Sequence, residues 1–451
     1  MKFTRGSVGY RWYVVFVLLL VFILSYFDRF ILTLVVEPVK LSLGLNDFQV
    51  GLLLGPAFAA FNVLTGIPLG WFADRASRKW ILIGGIIFWC AMTTGSGLAT
   101  TFGMLLVLRL GLGLGEAIVS PCSVSIISDY FDRAQRGRAI SVYMAGPYLG
   151  AGLAFLIGGN LVGWLETTGR THAFGAGPFE PWQMAFFLVG APGFIFALLM
   201  LTVREPARQE RIGGNKGPPR VSAFKYILER WRGFGALFVG ATCNFAMSTL
   251  TFWNVPLFQR VYGWDIATIG TVTGLFYFTA GPIGTAIAVW SMRRLTLKHT
   301  DAAMRVLILG LLITVPMSAL YPVMPSAELA VVAMFLAFIG KSIATAGGPS
   351  ALSLAAPGDI RSQSIAIFNT VITLVGPLLG PPIIGWATDA SGDPRSIGVV
   401  LSTFVVCVGV PSILIVLFGL KHYRRAVDEM EASLVDVVSA PAAGRVEPAI
   451  V

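Results

Sequence analysis

Continuous apolar runs dominate this sequence and constrain the fold more than any motif does. Each holds about 20 residues or more, enough for a helix to cross a hydrocarbon core of roughly 30 Å. The runs lie at 12–36, 48–72, 79–100, 103–125, 138–163, 181–203, 233–258, 266–291, 302–322, 327–348, 363–388 and 396–420. The chain is 55% hydrophobic and only 12% charged, against roughly 25% charged in soluble proteins. It reads as an all-α membrane protein with twelve transmembrane helices. A β-barrel would give short alternating segments instead. The first run is too long for the core of a secretion signal and lacks a small-residue cleavage site, so it reads as an ordinary span.

Lys and Arg are unevenly placed. The N-terminus, the 2–3, 4–5 and 8–9 loops, segment 204–232, Arg361 and the C-terminal stretch carry 26 of them. The alternate loops carry only Lys40, Arg170, Arg260 and Arg395. The positive-inside rule and an even helix count therefore predict both termini in the cytoplasm. The net charge of +10 is mostly this asymmetry, which argues against a nucleic-acid partner. Cys90, Cys122, Cys243 and Cys407 all fall inside spans and read as packing residues. His172, His299 and His422 are isolated, so no metal site, cofactor or nucleophile triad is expected.

The longest polar interruption, 204–232, divides six spans from six. Residues 1–203 and 233–420 are expected as two pseudo-symmetric six-helix bundles. The linker begins with Gly213, Gly214, Gly217, Pro218 and Pro219, and AFKYILERW could follow as a helix on the membrane surface. Residues 421–451 are expected as a disordered tail. The halves look like weak copies: Glu116 and Lys341, Arg136 and Arg361, and Asp28 and Trp253 are each 225 positions apart. Parallel repeats imply a pseudo-twofold axis along the membrane normal and a binding site near midplane between the halves. One chain holding both repeats is expected to work as a monomer.

Between the second and third spans stands Gly70-Trp71-Phe72-Ala73-Asp74-Arg75-Ala76-Ser77-Arg78-Lys79. It resembles the loop signature of the major facilitator superfamily, with Phe72 for the usual Leu and Ser77 for the usual Gly. The competing reading is a basic cytoplasmic loop that happens to contain an Asp. Gly70, Asp74, Arg75 and Arg78 are expected as a conformational latch, Asp74 capping a helix or pairing with Arg residues. The second-half equivalent, SMRRLTLKHTD, has no matching Asp-Arg.

The fourth span reads Leu108-Arg109-Leu110-Gly111-Leu112-Gly113-Leu114-Gly115-Glu116-Ala117, which resembles the superfamily's fourth-helix motif. Two turns separate Arg109 from Glu116, placing them on one face about 10 Å apart. Buried ions are costly in lipid, so they must face a cavity or one another. A purely structural ion pair is the alternative. The first span adds Asp28 and Arg29 at a similar depth, read otherwise as packing near the outer mouth. These four are expected to form one buried network, with Glu116 and Asp28 carrying protons and Arg109 coupling them to substrate. Lys341 is the only ionisable group in the second-half membrane core, suited to an anionic headgroup or to a cross-cavity pair with Glu116. Trp253, Tyr277, Phe245 and Asn369 are expected beside it as substrate contacts, although lipid-facing or core packing explains any one aromatic as well.

SYFDRF, RLGLGLGEA, ISDYFDRAQR, Trp182-Gln183-Met184-Ala185-Phe186 and Val203-Arg204-Glu205-Pro206 further resemble the Spinster branch, bacterial homologues above all, and the neighbouring anion:cation symporters. That resemblance implies a major facilitator fold in a bacterial inner membrane and proton-linked transport of an amphiphile such as a lysophospholipid or sphingosine-1-phosphate. It covers Asp28, Arg29, Arg109 and Glu116. The runner-up is a proton-coupled symporter of a small organic anion. No nucleotide loop exists to power a primary pump, and no catalytic dyad argues for an enzyme. The cavity wall separates the two substrates: a lipid-like one needs a lateral gap and an apolar second half, a small anion a closed polar chamber.

Overall fold

The structure, a computed structural model, describes residues 7–60, 64–65, 75–168, 171–172, 178–206, 222–357 and 360–439. Among the described residues, eleven helices are long and apolar enough to cross a membrane: Val8–Leu34, Arg78–Ser96, Phe102–Tyr130, Gln135–Thr168, Pro181–Leu201, Trp231–Tyr262, Ile266–Thr296, Ala302–Val323, Ala327–Ala355, Gln363–Ser391 and Pro394–Met430. The shorter apolar helix Asp47–Ala60 stands at the second expected run. Every run in the sequence thus has a helix on it. Several helices overshoot their run, because hydropathy marks only the part in hydrocarbon while the backbone ladder continues beyond it.

We call the face carrying the termini the terminal face and its opposite the distal face. Helices that start on the distal face are capped by side chains. Asn46 forms a capping box with Gln49, and Thr101, Asp265 and Ser326 accept from Met104, Thr268 and Leu329 amides. Of the helices that end there, the one continuing the first span and those of the seventh and eleventh spans stop on Gly44, Gly263 and Gly392, all at positive φ of 62–72°. Distal loops are therefore short and self-contained. The fifth–sixth loop adds a small antiparallel pairing, Thr171 with Phe179 and His172 with Pro178.

Among the described residues, four spans break near mid-depth. The fourth breaks after Glu116, the fifth after Tyr143 and the sixth after Gly190, each just ahead of a proline (Pro121, Pro147, Pro192), and the seventh breaks after Ala246. A proline lacks the N–H that the carbonyl four residues back requires.

The buried apolar core falls into two main bodies. One joins the distal part of the first half to the second half, from Phe30 and Leu53 through Phe155 to Trp253 and Leu307. The other belongs to the terminal part of the first half alone, around Val14, Leu82, Ile126 and Met200. The halves fuse distally through close helix contacts. A Cβ on Gly51 would meet the Pro381 carbonyl at 2.5 Å, and one on Gly270 the Phe155 carbonyl at 2.5 Å. Toward the terminal face, the buried core of the first half contains no second-half residue among those described.

In the linker, Ala223–Glu229 is helical, with Tyr226 buried and donating to the Ala355 carbonyl while Phe224 and Leu228 are exposed. The tail expected as disordered over 421–451 requires correction for its first part, since the last helix runs from Ile397 to Ser439; residues 440–451 lie outside the described residues. Tyr423 donates to the Ala351 carbonyl and Arg424 to Asp301, which holds the start of that extension against the second half.

Candidate functional site

The first and fourth spans bring the expected charges together in two pairs. The Ser25 hydroxyl donates to Glu116 Oε2 at 2.8 Å, and Arg29 donates to the same oxygen at 3.0 Å. The Arg29 guanidinium also lies over the rings of Tyr26 and Phe58, at 4.5 and 4.1 Å. Arg109 donates to the Asp28 backbone carbonyl at 3.3 Å and stacks on Phe186 at 4.9 Å. Asp28 is fully buried, and neither carboxylate oxygen has a hydrogen-bond partner among the described residues; the indole of Trp89 and the hydroxyl of Thr93 lie beside it. Glu116 ends a helical segment, so the break in the fourth span sits beside the ion pair.

Across the cavity Lys341 stands apart. Its ammonium lies 5.5 Å from the Phe338 ring. The cross-cavity pair with Glu116 is not made, since Glu116 is held by Ser25 and Arg29. Aromatic rings link the two sides instead. Tyr26 meets Phe30 at 6.3 Å, Phe30 meets Tyr277 at 6.2 Å, and Tyr277 meets Phe338 at 5.3 Å. Phe155 stacks on Tyr277, and Phe252 on Phe30. This bridge runs from the first-half charges to the second-half lysine.

On the terminal side of the bridge a groove of about 770 Å3 lies between the fifth and eighth spans. Its wall is mainly apolar, with Met144, Tyr148 and Leu149 facing Tyr277, Phe278 and Val289, and Arg293 stands at the terminal end. Of the expected substrate contacts, Tyr277 belongs to both bridge and groove. Trp253 is fully buried in the second-half core, Phe245 is half-buried and Asn369 is exposed. Sequence reasoning missed Phe30, Phe338 and Tyr148. The spacing of Phe22, Tyr26 and Phe30 at every fourth residue was the available signal.

Of the expected latch, Gly70 and Asp74 lie outside the described residues, and Arg75 is exposed ahead of the third span. Arg78 binds Asp129 and Glu205, and Ser77 adds a bond to Glu205, all within the first half. Burial alone would raise the Glu205 carboxyl, but the Lys79 amide and Arg78 hold it below its ordinary range. The second-half loop has its own centre in Asp301, bonded to Arg305 at 2.7 Å and Arg424 at 2.8 Å.

The distal face holds a cluster that sequence reasoning did not find, and this one spans both halves. Arg260 of the seventh span forms two bonds to Asp47, at 2.7 and 2.8 Å, and one to Glu37 at 2.7 Å. Lys40 also binds Asp47. Asp389 accepts from the Asp47 and Phe48 amides at 3.0 and 2.8 Å, capping the second span from the eleventh. Among the described residues, no group of three or more His, Cys, Asp or Glu is arranged to hold a metal.

The Major Facilitator Superfamily profile matches residues 18–302, more than half the chain. The probable galactarate/D-glucarate transporter GudP of Bacillus subtilis is 28% identical over 414 residues, covering 85% of this chain and 87% of that protein. Protein spinster of Drosophila melanogaster is 26% identical over 335 residues, 69% of this chain and 51% of that protein. Among solved structures, a bacterial homolog of the human lysosomal transporter Spinster, in an inward-facing and unoccupied conformation, superposes with a TM-score of 0.77. It is 25% identical and covers 95% of this chain and 99% of that one.

Proposed function

The chain belongs to the Major Facilitator Superfamily, and from that premise we propose that it carries a single-chain amphiphile with an anionic headgroup, coupled to protons, by alternating access. The observation that carries the reading is the groove between the fifth and eighth spans. It is apolar, opens on the flank of the bundle, and ends at the aromatic bridge that leads to Lys341. An acyl chain fits such a wall, and the headgroup then reaches Lys341. The likeness to Spinster proteins supports the same reading.

In this proposal the terminal face is cytoplasmic and the conformation opens toward it. Glu116 and Asp28 handle protons. When the halves rock, both buried carboxyls change hydration and partners, which loads and releases a proton. Arg29 and Arg109 supply the competing positive charge. The likeness to a galactarate/D-glucarate transporter favours a second reading, a small dicarboxylate held between Arg109 and Lys341.

Reconstituted proteoliposomes under a pH gradient test the two. The amphiphile reading expects uptake of a lysophospholipid, no uptake of glucarate, and loss of gradient-driven uptake in Glu116→Gln. Glucarate uptake without lysophospholipid uptake would transfer the assignment to the second reading. Uptake whose pH dependence survives in Glu116→Gln would remove that residue from coupling.

A further inference from the structure

Lys341 lies within a membrane span, and no described carboxylate pairs with its ammonium group. An unpaired charge at that depth is costly and calls for a counter-ion. Beside it, between the seventh, ninth and tenth spans, is a cavity of about 20 Å3, the scale of one water-sized occupant. Thr251, Asn254, Thr314, Ser318 and Tyr321 line it, each at most 4% exposed.

Several of those groups are already committed. The Tyr321 hydroxyl donates to Asn254 Oδ1 at 2.7 Å, Thr314 to the Gly310 carbonyl at 2.8 Å, and Asn254 Nδ2 to Met334 Sδ at 3.4 Å. Among the described residues, the Ser318 hydroxyl and the Lys341 ammonium have no such commitment, and the Asn254 amide keeps a second N–H. The cavity therefore offers donors and a positive charge, no acidic side chain, and room for one small sphere.

We propose that this cavity is a site for a monovalent, halide-sized anion, chloride, which neutralises Lys341 until the anionic group of the substrate displaces it. The displacement step rests on the proposed carrier function; the anion site itself does not. Bromide differs little from chloride in size, whereas sulfate is larger and doubly charged.

Equilibrium binding of radiolabelled chloride to the full chain in nanodiscs, with gluconate holding ionic strength constant, tests the site. One saturable site per chain is expected, displaced by bromide and not by sulfate. Lys341→Gln removes it. Ser318→Ala, a milder change, weakens it about tenfold, the loss of one hydrogen bond to an ion. No saturable binding by the folded wild type, or binding unchanged in both variants, overturns the site. Lysophospholipid uptake without chloride binding rejects the site and leaves the carrier assignment standing. Chloride binding without such uptake does the reverse.

Discussion

The distal and terminal faces of this molecule handle charge in opposite ways. On the distal face the ion pairs cross between the halves: Arg260 reaches Glu37 and Asp47, and Asp389 caps the second span. On the terminal face the described clusters stay within a half, Arg78 with Asp129 and Glu205 in one, Asp301 with Arg305 and Arg424 in the other. The two terminal clusters even invert sign, one built around a cation and the other around an anion. Distal charges thus hold the halves together, while terminal charges make each half rigid and leave it free to move. A rocking carrier needs this division, because only the crossing contacts must be remade in each cycle.

The sharpest way to break the contrast is Arg260→Ala. Asp47 is 1% exposed, and losing its guanidinium costs about 2–3 kcal/mol, less than for a bare buried charge because Lys40 remains. That moves the closed distal population about thirtyfold or more toward the open form, readable as longer distances between labels on the two halves. Gly51→Ala attacks the same face through sterics. The added methyl meets Pro381 backbone, an overpacking of about 1–3 kcal/mol, and should push the second and eleventh spans apart with a smaller shift in the same direction.

The smallest effect belongs to the terminal face. Burial would raise the Asp301 carboxyl, but Arg305 and Arg424 hold it below the ordinary aspartate range. A depressed folded value means stability that is present above the unfolded value of about 3.9 and is lost as pH falls below it. Asp301→Asn should lower the melting temperature near neutral pH, flatten its fall in acid, and leave the distances between halves unchanged. A conformational shift in that variant would refute the division between faces.

Much of this architecture was legible in the sequence. Continuous apolar runs of this length place the helices because a helix satisfies its whole backbone within the segment in lipid. Arg29, Arg109, Glu116 and Lys341 stood out because ions are scarce there. The distal cluster was hidden for the converse reason. Arg260 and Asp47 are ordinary charges at helix ends, and 213 positions separate them. Phe30 and Phe338 sit in apolar runs where a ring of the bridge looks like one packed in the core. The stretch 421–439 was misread because its polar composition resembles a disordered end, whereas contacts from Tyr423 and Arg424 hold the start of that helical extension.

Pairwise label distances by pulsed electron resonance test the central claim, with one pair across the distal face (Ser42 and Arg395) and one across the terminal face (Ser141 and Arg294). The account predicts a short distal and a long terminal distance in the unliganded wild type. Both should reverse in Arg260→Ala, and together on adding lysophospholipid at acid pH. Distances on both faces that stay fixed under each change would contradict it.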